Sequence, residues 1–69
     1  MELGKKFKEL RKQSGLTQKQ VAEKLGIKQS NVSDWENNVS RPEYENLIKL
    51  AQLYEESIDY ILIDADKKE

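Results

Sequence analysis

The sequence predicts an all-α fold, a compact bundle of five short helices, on three observations. Apolar residues recur at helical spacing in Leu3, Phe7 and Leu10, and again in Tyr44, Leu47, Ile48, Leu50, Ala51 and Tyr54. Between these runs, LTQKQVAEKLGIKQSNVSDWENN (16–38) reads as two short helices hinged at Gly26. The β-like run Tyr60 to Ile63 is too short to find a partner strand. At 69 residues the chain is expected to form one domain over residues 1–63, with a short charged tail at 64–69.

Each helix has its own start and stop signals. Leu3 to Gln13 is the first amphipathic helix, ended by Ser14-Gly15. Thr17 opens the second, with Gln20 placed to complete a capping box, and Val21, Ala22 and Leu25 form its apolar face. Gly26 supplies a left-handed residue for a sharp turn, and Ile27 fills the corner. A third helix, about residues 29–37, follows at once. After Val39-Ser40-Arg41, Pro42 disfavours helix before it and suits one just beyond, which gives the fourth helix from Tyr44 to Tyr54. Ser57 caps a last helix with Asp59 in its first turn and Ile58, Ile61 and Leu62 as apolar positions, and the chain is expected to fray from Ala65 onward.

Composition narrows the chemistry. The chain contains no Cys and no His, which removes disulfides, thiolate nucleophiles, the usual transition-metal ligands and the commonest general base. Ser30 or Ser33 beside Asp34 has no base to activate its hydroxyl, and Asp64-x-Asp66 lacks the length and glycine of a calcium loop. No enzyme activity, cofactor, metal or small-molecule ligand is expected. No apolar run approaches a membrane span and MELGKKFKEL is not a signal peptide, so the expected location is cytoplasmic, with no membrane partner.

What remains is recognition, and the third helix carries it. At 100° per residue Val32 and Trp35 fall on one side, whereas Gln29, Ser30, Ser33, Asp34 and Asn37 fall on the other. Short side chains bearing donors and acceptors suit the reading of base edges in the DNA major groove. Trp35 shares its phase with Val32 and is read as core rather than as a stacking platform. The net charge of −1 conceals a division: residues 1–28 carry eight Lys or Arg against three Glu, and residues 29–69 carry four against ten acidic residues. Lys5, Lys6, Lys8, Arg11, Lys12, Lys19, Lys24 and Lys28 therefore offer a positive surface for phosphates, about half of it expected to be merely solvated.

These residues resemble the Cro/CI-type helix-turn-helix of phage repressors and xenobiotic-response-element (XRE) regulators. The likeness runs from about Leu3 to Leu62 and rests on LRKQSGLTQKQVAEKLGI, a polar helix ending in WEN, a basic residue before proline, LIKLAQLY and SIDYIL, in that order. It implies a bundle of the phage-repressor DNA-binding type with the helix-turn-helix formed by helices 2 and 3. It also implies base contacts by Gln29, Ser30, Ser33 and Asp34. Gln29 suits adenine; Asp34 either accepts from cytosine, rejects wrong sequences, or bonds to Lys28 or another chain. Gln18 is implied as a phosphate contact that braces Gln29. Asn37 and Arg41 hold the backbone across the groove, and Lys19 and Lys28 join them as phosphate contacts. Arg11 and Glu36 form an ion pair, with Arg11 also within reach of phosphate. The last helix is implied as the dimer contact, through Ile58, Ile61, Leu62 and Ile63.

The chain departs from the family pattern at Asn38, where glycine is usual, and at Glu55-Glu56, where Gly or Asn and an apolar residue are usual. The reading is a sequence-specific, double-stranded DNA-binding transcriptional regulator, a repressor that binds a pseudo-palindromic operator as a homodimer. The alternative is an antitoxin-like protein-interaction module that works through Glu55, Glu56, Asp59 and the acidic tail Asp64, Asp66 and Glu69.

Overall fold

The computed structural model describes residues 3–66, which form five α-helices: α1 (Leu3–Gln13), α2 (Gln18–Leu25), α3 (Gln29–Glu36), α4 (Tyr44–Tyr54) and α5 (Ile58–Asp66). The expected all-α architecture and helix order hold. Lys67, Lys68 and Glu69 of the expected tail lie outside the described residues. α5 runs through Asp66, so the helix itself extends past residue 63 and past Ala65.

The helix ends show how local chemistry draws these boundaries. Thr17 Oγ1 accepts from Gln20 N–H at 3.1 Å while Gln20 Oε1 accepts from Thr17 N–H at 2.9 Å, a complete capping box. Ser57 Oγ likewise accepts from Tyr60 N–H at 3.0 Å. Three helices end on a left-handed residue: Gly15 (φ 73°), Gly26 (φ 74°) and Glu55 (φ 58°). In each case the following N–H reaches back to a carbonyl five residues earlier, as in Ile27 to Ala22 at 3.0 Å and Glu56 to Ala51 at 3.0 Å. The departure at Glu55 therefore leaves the end of α4 intact.

The core gathers one face from every helix, with Phe7, Leu10, Val21, Val32, Leu50 and Ile61 at 4% exposure or less. Ile27, Leu47, Leu53, Ile58 and Leu62 pack around it. α3 lies against α1 and α2, and α5 against α1 and α4. Tyr44, expected on the apolar face of α4, is 72% exposed, since it opens that helix beyond the reach of the core.

Two corrections concern α1 and α5. Ile61, expected at a dimer contact, is completely buried in the protein's own core. Ile58 and Leu62 are partly buried against that core, and Ile63 remains exposed. Lys6, expected on the phosphate-facing surface, is buried. Its Nζ lies 4.5 Å from the Tyr60 ring centroid and donates to Tyr60 Oη at 3.3 Å, which ties α5 to α1.

Candidate nucleic-acid interface

The two sides of α3 differ as its sequence requires. Val32 and Trp35 are 2% and 6% exposed and anchor the helix in the core. On the opposite side Gln29 and Ser30 are exposed, and Ser33 and Asp34 half-buried. Asn37, which closes the helix, is exposed and donates from Nδ2 to Ser33 Oγ at 3.3 Å. Lys28, the N-cap of α3, is exposed, as are Lys19 in the first turn of α2 and Arg41 in the loop beyond α3. The predicted base-reading residues thus share one accessible face. Asp34 has no ion-pair partner among the described residues, so the bond to Lys28, one of the alternatives for it, does not form within the chain.

Beneath this face lies a polar knot. Arg11 Nε and Nη2 donate to Glu36 Oε2 and Oε1 at 2.7 and 3.1 Å, and Arg11 Nη1 donates to Leu16 O at 2.9 Å. Gln18 Nε2 donates to the same Glu36 Oε1 at 3.1 Å. The side chains of Arg11 and Glu36 are only 11% and 3% exposed, so the pair acts as a fork joining α1 to the end of α3. The Glu36 bond holds the Arg11 pKa above its ordinary value, against the opposing effect of burial. Burial, reinforced by the Glu36 charge, pushes Tyr54 up to about 12.

This geometry revises two expectations. Gln18 braces Glu36, not Gln29, because its amide points toward the far end of α3. Arg11 commits three donors to the interior, which leaves little of it to meet phosphate. The sequence reading also missed Gly4. A Cβ on Gly4 would stand 2.5 Å from Glu36 O and 2.8 Å from Trp35 O, so only glycine lets α1 approach the end of α3 this closely. A glycine inside an otherwise good amphipathic helix was the available signal. Asn38, left-handed at φ 61° as expected, also accepts a bond from Gly4 N–H at 3.1 Å, which nothing in its own neighbourhood foretold.

No helix among the described residues is long and apolar enough to cross a membrane. A helix seated by its predecessor through a capped turn, with a polar face turned outward, defines a DNA-binding helix-turn-helix domain. Comparison with known proteins agrees: the helix-turn-helix family model matches residues 7–61, and the chain belongs to that family, of the XRE type. It is 47% identical over 62 residues to the HTH-type transcriptional regulator ImmR of Bacillus subtilis, covering 90% of this chain and 49% of that protein. It is 34% identical over 62 residues to the HTH-type transcriptional activator BcrR of Enterococcus faecalis, covering 90% of this chain and 30% of BcrR. Antitoxin HipB of Escherichia coli K12 is 37% identical over 57 residues, covering 83% of this chain and 65% of HipB. The chain therefore spans about half the length of ImmR and less of BcrR.

Proposed function

We propose that this chain is the operator-reading part of a cytoplasmic transcriptional regulator, acting as a repressor. It binds double-stranded DNA as a homodimer. The opposed faces of α3 carry the proposal, with Val32 and Trp35 locked inward and Gln29, Ser30, Ser33 and Asp34 turned out. In this reading α3 enters the major groove. Gln29 and Ser30 lead, while Ser33 and Asp34 read one turn deeper. Gln18 and Lys19 meet phosphate at the start of α2, where first-turn N–H groups lack intrahelical acceptors. Lys28, Asn37 and Arg41 grip the backbone on either side. Arg11 and Glu36 keep α3 at a fixed tilt. A few side chains per half-site, each worth about 1–3 kcal/mol of discrimination, need two copies to reach useful specificity. Two recognition helices roughly 34 Å apart would meet successive major grooves of a pseudo-palindrome and obstruct polymerase.

Selection from randomised duplexes tests this reading. A symmetric winner, bound far more tightly than a scrambled duplex and weakened when Gln29→Ala is introduced, is the expected result. Equal and steeply salt-dependent binding to both duplexes would overturn it.

The similarity to antitoxin HipB favours a second reading, in which the chain also holds a protein partner through Glu55, Glu56 and Asp59. Neutralising those three carboxylates would then abolish complex formation while Gln29→Ala leaves it intact.

A further inference from the structure

Between α3 and α4 residues 37–43 form no regular helix, and they include both Asn37 and Arg41, the residues read above as backbone grips. Four of its N–H groups turn back on α3: Asn37 to Ser33 O at 3.0 Å, Asn38 to Trp35 O at 3.3 Å, Val39 and Ser40 to Asp34 O at 2.8 and 3.4 Å. Apart from Glu43 O, which accepts from Leu47 N–H in the first turn of α4, a single hydrogen bond among the described residues joins this segment to any element other than α3. It runs from Gly4 N–H to Asn38 Oδ1 at 3.1 Å, across 34 positions of sequence. The donor belongs to the first turn of α1, where an N–H has no intrahelical acceptor, so Asn38 caps α1 from a distance. Gly4 makes this possible, since a Cβ there would collide with the carbonyls of Trp35 and Glu36. The left-handed backbone at φ 61° would suit glycine better, but glycine has no acceptor to offer.

We infer that Asn38 is a positioning residue for DNA binding: by bolting the segment after the recognition helix to the first turn of α1, it holds Arg41 in reach of phosphate. The inference rests on the DNA-reading function proposed above. Covalent continuity with α3 and α4 fixes the two ends of the segment but not its middle. The bond from α1 pins that middle at Asn38, so Arg41 loses less freedom on binding.

The test compares wild type, Asn38→Gly, Arg41→Ala and the double variant on the selected operator across a series of salt concentrations. Asn38→Gly keeps the left-handed backbone and removes only the acceptor. It is expected to weaken operator binding by about 3- to 10-fold and to reduce the salt slope toward that of Arg41→Ala, which should lose about one counterion's worth. In the Arg41→Ala background it should cost less than about 2-fold, because the group it positions is gone. Exchange of the Gly4 amide should quicken in Asn38→Gly and stay protected in Asn38→Asp, which retains an acceptor; circular dichroism checks that each variant is folded. Wild-type affinity and slope in Asn38→Gly, or losses that simply multiply in the double variant, would overturn the inference. A wild-type chain that prefers no duplex over a scramble fails the DNA-reading function itself, a result separable from the other two.

Discussion

Glu36 shows how much one side chain organises. A carboxylate buried this deeply would be costly alone, yet it takes bonds from Arg11 Nε, Arg11 Nη2 and Gln18 Nε2. Arg11→Met should therefore cost about 3 kcal/mol or more in urea unfolding, because it strands the charge of Glu36. Arg11→Met with Glu36→Leu should cost clearly less, and a double variant as unstable as the single would refute this account. Tyr54 makes a second residue-scale prediction. Its pKa is raised to about 12 from an ordinary 10, so the folded chain holds the phenolic proton more tightly than the unfolded chain does. The associated stability is complete below pH 10 and is lost as pH rises through about 12, at most on the order of 2 kcal/mol. Melting temperatures of wild type and Tyr54→Phe should accordingly run parallel up to pH 10, and above it wild type should fall relative to Tyr54→Phe.

At the scale of the element, the ends of helices are where this sequence speaks most plainly. Thr17, Gln20, Gly15, Gly26 and Ser57 act within a few residues of themselves, and every one performs as local chemistry requires. Glu55 is the exception that defines a test. It adopts φ 58° at the end of α4, a conformation unfavourable for a residue with a Cβ. Glu55→Gly should raise stability by about 0.5–1 kcal/mol, read as a higher urea midpoint at unchanged slope. A lower midpoint would mean that the Glu55 side chain makes a stabilising contribution of its own. The face of α3 was equally legible, since a 100° period separates Val32 and Trp35 from Gln29 and Ser30 whatever the helix packs against.

Across the whole molecule, the question is which apolar groups remain for a second copy. Ile61 is consumed by the core, whereas Ile63 is 58% exposed and Ile58 and Leu62 lie partly buried beside it. Ile63→Lys should thus leave the melting temperature within a few degrees of wild type while weakening operator binding and shifting sedimentation toward monomer. Ile61→Asp should prevent folding altogether, because it buries a charge without a partner. Operator binding by Ile63→Lys at full strength would remove α5 from the dimer contact.

The chain alone announced its helices, its turn at Gly26, the outward polar face of α3 and the Arg11–Glu36 pair, the last through family resemblance. Periodicity and capping depend on neighbours three or four positions away, and those are written in order along the sequence. Packing decided the rest. Lys6 exchanged a solvated surface for the ring of Tyr60, Gln18 chose Glu36 over Gln29, Ile61 turned inward, and Asn38 found Gly4. Each of these choices depends on a partner between 18 and 54 residues away, or on the collective fit of the core, and no local periodicity encodes which distant group a side chain will meet.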